Sequence, residues 1–267
     1  MTVRFTTNDK IAETSSKGNQ EKWLDHDRWY KLDQFGYEAL AETVTSLLLE
    51  HSNIEQDTPF TFVRYRMERI HAHGRERTGC SSENFLRPDQ SIVTLSHLYK
   101  RYSDRPLREV LGRLTSDKRR IAYLAEATAE ITGLDLFPQY LTLLFELDAR
   151  ILNDDRHLNN IAVLEQGGRF DYCPIFDNGA GVLSNTQFSP MDIAPQALIR
   201  QLKARPFNTT FNRQVITIRN LYGPQLWIPK FTRQELTEMI QPMLEYYASR
   251  DRGIIIDRVC QTLLARQ

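Results

Sequence analysis

Residues 150–164, RILNDDRHLNNIAVL, contain the stretch that decides how this chain folds and where its chemistry lies. Seven of the eight residues from 153 to 160 are polar, and Leu158 is the exception. The preceding run, 137–152, is apolar nearly all round, which predicts a buried helix, and 161–164 has the pattern of a short strand. A polar helix cap and turn is one explanation, but a purely structural junction does not need so many polar groups. The stretch therefore predicts a functional site at this junction.

A hairpin is predicted directly after this polar stretch. Gly167-Gly168 separates two strand patterns, 161–164 and 170–176, and paired glycines are typical of a tight hairpin turn. Because a hairpin returns the chain close to its start, Asp177 is expected beside the polar stretch. Carboxylate and amide oxygens gathered at one point suit Mg²⁺, which is usually shared with phosphates and water.

The spacing of these groups is that of a phosphoryl-transfer site. Kinase catalytic loops place the catalytic Asp five positions before the metal-binding Asn, and a second metal-binding Asp follows ahead of a glycine. Asp155 and Asn160 have this spacing, Asp154 is off by one, and Asp177 precedes Gly179 by two positions. The D-x-x-x-x-N pattern alone is weak, and the buried helix before it and the hairpin after it add the specificity.

A lysine on an early strand and a glutamate on the next helix complete such a site, because the lysine contacts the phosphates and the glutamate holds the lysine. Lys31 lies in the predicted strand 29–32, Glu38 opens the following helix, and Glu42 lies one turn later on the same face. A surface lysine with solvated glutamates is the alternative.

Composition excludes several classes of protein. The 267 residues have zero formal net charge and 41% hydrophobic residues, which favours a soluble protein that binds neither nucleic acid directly nor a membrane. The three cysteines are far apart, so they predict neither disulfides nor a zinc site. The N-terminus has no apolar core of a signal peptide, and a cytoplasmic location is expected.

The order of patterns predicts a small mixed α/β part followed by a larger helical part. Residues 61–67 alternate like a half-buried strand, and 75–82 is expected to be a connecting hairpin or loop. From Ile92 onward the chain is predicted to be helical, with Gly133 as one helix end and helices at 235–247 and 254–264 near the C-terminus.

Together these residues resemble the HipA-like serine/threonine kinases, including the shorter CtkA-type members. The matching motifs are D-R-H-L-N-N at 155–160, Phe176-Asp177 after the hairpin, and the S-x-x-G-x-Q-x-K loop at 15–22. Lys31, with Tyr37-Glu38 at the start of the next helix, fits the lysine and helix glutamate of the family. Phosphoinositide kinases also carry D-R-H-x-x-N, so the loop and the catalytic stretch are more specific together than either is alone.

The resemblance implies an α+β, bilobal protein-kinase-like fold. A small mixed α/β N-lobe would comprise residues 1–85, and a larger, mainly helical C-lobe would comprise residues 86–267. Asp155 would be the catalytic base, Asn160 and Asp177 would hold Mg²⁺, and His157 would be a scaffold residue that anchors the backbone around Asp155.

The resemblance also assigns roles in the N-terminal part. Lys31 would contact the phosphates of ATP, Glu38 would orient Lys31, and Gln20 and Lys22 would belong to the loop over the nucleotide. Ser15, which heads that loop, would be an autophosphorylation site. Only about 14 residues precede the loop, whereas full-length toxins of the family carry a further N-terminal region. That region would be supplied by a separate small partner protein, or would be absent as in the CtkA-type kinases.

The expected function is an ATP- and Mg²⁺-dependent transfer of the γ-phosphoryl group to a protein serine or threonine, with autophosphorylation. A toxin role, paired with a DNA-binding antitoxin, is implied by the resemblance only. Two alternatives stay open: a lipid or small-molecule kinase with the same core, and a pseudokinase that binds nucleotide and serves as a binding module.

Overall fold

The computed structural model describes residues 3–6, 20–103 and 105–267, which form a mixed α/β structure. The described strands are β1 (Val3–Phe5), β2 (Lys22–Asp25), β3 (Arg28–Leu32), β4 (Tyr65–Ala72), β5 (Arg75–Glu83), β6 (Ser91–Thr94), β7 (Ala162–Gln166) and β8 (Arg169–Tyr172). The described helices are α1 (Glu38–Glu50), α2 (Ile54–Asp57), α3 (Leu95–Tyr102), α4 (Leu107–Arg113), α5 (Asp117–Thr132), α6 (Phe137–Ile151), α7 (Pro195–Gln201), α8 (Phe211–Tyr222), α9 (Arg233–Ile240) and α10 (Ser249–Ala265). A 3₁₀ helix, Gln241–Tyr246, joins α9 to α10.

The N-terminal part is built on a five-stranded sheet in the order β1-β4-β5-β3-β2. Its neighbouring strands are antiparallel except β1 and β4, which are parallel. The strand predicted at 29–32 is confirmed as part of β3, and the strand predicted at 61–67 begins later, at Tyr65, and continues to Ala72. In this sheet Lys31 lies between Lys22 of β2 and Cys80 of β5.

The expectation of a connecting hairpin or loop at 75–82 is wrong, because these residues form β5 between β3 and β4. Their sequence has no apolar alternation, so the pattern gave no strand signal. Pairing on both sides nevertheless buries Cys80 and Ser81 completely. Gly79 fits here because any side chain would collide: a Cβ atom would lie 2.3 Å from the backbone oxygen of Lys31.

Helix α1 packs against β4 and β5 and carries Leu40, Val44 and Leu48 into the core, as their spacing predicts. These side chains belong to the same apolar cluster as Leu141 and Leu144 of α6. The sheet and the helical part therefore share a continuous core, and the division into lobes at residue 85 stays a prediction.

The elements around the polar stretch form as predicted, except for the start of one helix and for the second hairpin strand, which was expected at 170–176 and ends at Tyr172. Helix α6 is buried nearly all round, and α5 ends at Gly133, whose φ of 72° lies in the left-handed region. The hairpin of β7 and β8 turns at Gly167 and Gly168, which both have positive φ. The helix expected from residue 92 begins only at Leu95, because Ser91–Thr94 pairs with β7 as strand β6.

Arg258 of α10 is almost completely buried and has no carboxylate partner among the residues described. Its guanidinium instead donates to the hydroxyl oxygen of Tyr37 and to backbone carbonyl oxygens of the segment that follows the hairpin. These carbonyl groups belong to Leu183, Ser189, Pro190 and Ile193. The hydroxyl of Tyr37 in turn donates to the carbonyl of Val182 at 2.9 Å. This cation therefore fixes segment 182–193 to the start of α1 and to α10.

We expect Arg258→Met to lower the free energy of unfolding by about 2–4 kcal/mol, because several buried carbonyl groups lose their donor. Chemical denaturation monitored by circular dichroism measures this change. Arg250→Met is the matched control on the same helix, where the arginine side chain is 88% exposed, and its effect should stay within about 0.5 kcal/mol. Equal effects of the two substitutions would show that Arg258 does not organise the segment.

Candidate active site

Lys31 is a buried cation at the centre of the candidate site. Its side chain is 8% exposed, and Nζ donates to Glu42 Oε1 at 2.5 Å and to Asp177 Oδ1 at 2.8 Å. Burial alone would lower the pKa of Lys31, but the charges of Asp177 and Glu42 outweigh burial, and the pKa lies well above its ordinary value. The lysine therefore stays charged and joins α1 to the residue after the β7–β8 hairpin.

The glutamate that contacts Lys31 is Glu42, and the expectation that Glu38 would hold the lysine is wrong. The carboxylate of Glu38 folds back onto the turn before α1, where it accepts hydrogen bonds from the backbone N–H groups of Gln34, Phe35 and Gly36. A helix N-terminus draws a carboxylate in this way because its N–H groups lack partners. Glu42 lies one turn deeper, has no exposed surface, and also accepts the N–H of Asn178 at 2.8 Å through Oε2.

Arg156 holds the polar stretch together from inside. Its side chain is 1% exposed and forms hydrogen bonds with both carboxylate oxygens of Asp148 on α6, each at 3.1 Å. The same guanidinium donates to the carbonyl oxygens of Asn160 and Phe176 and to the side-chain oxygen of Asn178. The arginine thus joins the helix before the stretch, the stretch itself and the chain after the hairpin.

The scaffold role of His157 stays a prediction: its backbone N–H donates to the carbonyl oxygen of Asp155 at 2.8 Å, but its side chain is not the buried anchor of the loop. Its side chain is 46% exposed, and Nε2 lies 3.8 Å from Asp155 Oδ1. The anchor is Arg156, the preceding residue, which the sequence analysis did not single out. One signal for it was present: Asp148 is an acidic residue in a mostly apolar helix, and a buried carboxylate requires a partner nearby.

Asp155 and Asn160 lie together in the loop that Arg156 supports. The Asn160 side chain donates through Nδ2 to the backbone oxygen of Asp155 at 2.9 Å. The Asp155 carboxylate, by contrast, is 60% exposed and faces the cleft. The hydrogen bond from the Asn160 side chain fixes the backbone that carries Asp155 and leaves the Asp155 carboxylate accessible.

The predicted approach of Asp177 to the polar stretch is confirmed. The carbonyl of Phe176 and the side chain of Asn178, on either side of Asp177, both contact Arg156. Asp177 has a φ of 61°, which is unusual for a residue with a side chain. Burial would raise its pKa, but the charges of Lys31 and then Lys22, with the hydrogen bond from Lys31, outweigh burial, so the pKa lies well below its ordinary value.

Two further residues predicted to belong to the loop over the nucleotide, Gln20 and Lys22, are described by the structure. Lys22 is close enough to Asp177 for its charge to lower the pKa of that carboxyl. The amide of Gln20 donates to the backbone oxygen of Leu32 at 2.8 Å, which fixes the chain entering β2 beside the strand of Lys31. Ser15 lies outside the described residues.

Two neighbouring carboxyl groups of the loop have raised pKa values. Partial loss of hydration raises the pKa of Asp155, His157 offsets part of this, and Asp177 raises it further. The same loss of hydration, together with the charge of Asp155, raises the pKa of Asp154 to about 6. Both carboxyl groups therefore titrate at a higher pH than an ordinary aspartate.

The donor set fits a magnesium ion that is shared with a phosphate. Asp177 offers a carboxylate and Asn160 an amide oxygen, and Mg²⁺ in proteins is usually held by one or two carboxylates with substrate phosphates and water. No group of three or more His, Cys, Asp or Glu side chains in the described part of the chain could hold a metal on its own. The residues therefore suit a metal that arrives with its nucleotide better than a permanent metal centre.

Comparison with solved structures shows that the chain has a known fold. The crystal structure of the Helicobacter pylori proinflammatory kinase CtkA matches it with a TM-score of 0.56 and 11% identity, over 94% of this chain and 92% of that one. HipA of Shewanella oneidensis MR-1, in a complex with HipB and operator DNA, matches with a TM-score of 0.48 and 14% identity, over 94% of this chain and 64% of that one. No family model matches the sequence, and neither does any curated protein.

The resemblance to HipA-like and CtkA-type kinases that the motifs indicated is therefore confirmed at the level of the fold, on the CtkA match. None of the helices in the described residues combines the length and apolar character needed to cross a membrane.

We expect Asp177→Asn to reduce stability at neutral pH and to have a smaller effect in acid. Because the folded pKa of Asp177 is lowered, its charge stabilises the fold above about pH 4, the unfolded value, and this contribution is lost as pH falls toward the folded pKa. Thermal unfolding of the parent and the variant between pH 7 and pH 3 measures the effect. The parent should melt a few degrees higher at pH 7, and this difference should become smaller as the pH falls from about 5 to 3. A constant difference would mean that the charge of Asp177 is not stabilised by Lys31.

Proposed function

We propose that this protein is an ATP- and Mg²⁺-dependent serine/threonine protein kinase of the HipA/CtkA type. One observation carries the proposal: hydrogen bonds and ion pairs link the loop of Asp155 and Asn160 to Asp177 and the Lys31–Glu42 pair. The spacing of the first three residues and the contacts of the lysine are those that phosphoryl transfer requires. The CtkA-like fold supports the same conclusion independently of the motifs.

The nucleotide phosphates would lie against the cations of β2 and β3. Lys31 is charged and held in place by Glu42, so it can contact phosphate oxygens without first being ordered. Lys22 is on the adjacent strand, directly opposite Lys31 in the register, and adds a second cation. The side chain of Gln20 forms a hydrogen bond with the backbone of β3 and so fixes the end of the loop that would cover the nucleotide.

Asn160 and Asp177 would hold Mg²⁺, and the bound ion would neutralise charge on the phosphates. Asp177 is kept ionised by Lys31 and Lys22, and its position is fixed by neighbours that contact Arg156. The side chain of Asn160 is fixed by its hydrogen bond to the backbone oxygen of Asp155. Both groups are therefore preorganised, which is the main means by which such sites lower the barrier.

Asp155 would orient the acceptor hydroxyl and take its proton. The hydroxyl oxygen forms a bond to the γ-phosphorus, the bond from that phosphorus to the bridging oxygen breaks, and ADP leaves with the electron pair. The raised pKa of Asp155 makes its carboxylate a better base than that of an ordinary aspartate.

Regulation and partners follow from the motif resemblance alone. Ser15, at the head of the nucleotide loop, is the proposed autophosphorylation site. A DNA-binding antitoxin, or a separate small partner that supplies a further N-terminal region, is the proposed partner. HipA of Shewanella oneidensis MR-1 was crystallised with HipB and operator DNA as a toxin–antitoxin system, but the partner of this chain has to be identified by experiment.

We expect purified protein incubated with Mg-ATP and a mixture of protein acceptors to transfer phosphoryl groups to itself or to an acceptor. Asp155→Ala should reduce the rate by about 10²–10⁴-fold, because it removes the base. Intact mass of the protein and phosphopeptide analysis of the acceptors measure the transfer.

Asp154→Ala is the matched control, since Asp154 is adjacent to Asp155 but does not have the five-residue spacing to Asn160. Its rate at pH 8 should stay within about tenfold of the parent. Transfer to a lipid or a small molecule with none to protein would favour the lipid or small-molecule kinase. Nucleotide binding without any turnover would favour the pseudokinase.

A further inference from the structure

A large groove opens directly beside Asp155, outside the region assigned to the nucleotide. Its volume is about 890 Å³, and it lies between the α3–α4 region, the polar stretch and the chain before α8. His157, Leu158 and Asn159 form the wall next to Asp155. A molecule in this groove would therefore meet the proposed base, whereas Lys31 and Asp177 are not among the described lining residues.

The groove is strongly basic although the whole chain carries no net charge. Among its described lining residues, Asp155 is the single carboxylate, and five side chains are cationic: Lys100, Arg105, Arg108, Arg120 and Arg205. Arg120 is already engaged with backbone carbonyl groups and with Asp117. Arg108 and Arg205 are exposed and have no carboxylate within salt-bridge distance in the described part of the chain.

Arg205 lines the same groove as Asp155. A cationic side chain therefore shares the groove with the position where an acceptor hydroxyl would lie.

The floor of the groove is apolar. Leu107 and Leu111 of α4 are buried beneath it, and Phe207 is the single Phe, Tyr or Trp among the described lining residues. Single-stranded nucleic acids are usually held by several aromatic side chains on which bases stack. An aliphatic floor with basic walls instead suits a peptide, whose apolar side chains cover the floor while its acidic side chains meet the walls.

We propose that this basic groove docks the acceptor segment of the substrate and selects a protein segment in which aspartate or glutamate residues flank the phosphorylated serine or threonine. The proposal rests on the proposed kinase function for the role of the acceptor, but the docking itself requires no phosphoryl transfer. The groove would supply substrate selection, because five cations opposite one carboxylate attract acidic chains and repel basic ones.

Direct binding tests the docking without ATP. The probe is a fluorescent peptide with a central alanine flanked by glutamates, and its counterpart has lysines in place of the glutamates. At low salt the glutamate peptide should bind at least about tenfold more tightly, and added salt should reduce the difference. The double variant Arg108→Glu with Arg205→Glu should abolish the preference. Arg75→Glu, at an exposed arginine of β5 away from the groove, should leave it unchanged.

The same peptides with a central serine test the consequence for catalysis. With Mg-ATP, the parent should show a higher kcat/KM for the glutamate peptide, mainly through a lower KM, and the double variant should lose this advantage while keeping its melting temperature. Phosphorylation of both peptides with equal kcat/KM and equal binding would overturn the proposal while leaving the kinase function intact. Preferential binding of the glutamate peptide with no phosphorylation of any acceptor would support the groove and contradict the proposed function.

A nucleic-acid occupant is distinguished by a third probe, single-stranded polyuridylate RNA. If the RNA binds the parent but not the double variant, and the glutamate peptide does not compete for the site, the groove is an RNA-binding surface and the proposal fails. If the glutamate peptide binds and the RNA does not, the proposal stands.

Discussion

The candidate site depends on one buried ammonium group. Lys31 lies between two carboxylates, Glu42 at 2.5 Å and Asp177 at 2.8 Å, in a place where an unpaired charge would be strongly unfavourable. Three distant parts of the chain are thereby held together: a strand of the five-stranded sheet, helix α1, and the residue that follows the β7–β8 hairpin. The proposed phosphate contact and one proposed metal ligand are consequently ordered by the same interaction.

A second buried cation, Arg156, has a similar linking role. Arg156 connects α6 to the polar stretch and to both neighbours of Asp177, so Asp177 is fixed from the lysine side and from the arginine side. The groups that are proposed to react are left accessible: the Asp155 carboxylate is 60% exposed, whereas its supporting arginine is buried. Rigid support beneath an exposed reactive group is the arrangement that electrostatic preorganisation requires.

The sequence predicted the parts of this site that depend on local pattern. Strand, turn and helix signals placed the hairpin correctly, and the hairpin was sufficient to bring Asp177 to the polar stretch. Residues whose placement depends on tertiary packing were predicted less well. Glu38 was preferred over Glu42 although both lie on one face of α1, because the sequence does not show how deeply each turn of a helix is buried. Strand β5 was missed because its polar residues are buried by neighbours that are distant in sequence, and Arg156 was passed over in favour of His157 for the same reason.

The most direct test of this account is the affinity for Mg-ATP in two variants of α1. Titration calorimetry of the parent, Glu42→Gln and Glu38→Gln separates the residue that holds Lys31 from the residue that caps the helix. If the Lys31–Glu42–Asp177 arrangement prepares the site for phosphate, Glu42→Gln should bind Mg-ATP about tenfold or more weakly than the parent, and Glu38→Gln should bind nearly as tightly as the parent. Equal affinity in all three proteins, or a larger loss in Glu38→Gln, would contradict the account.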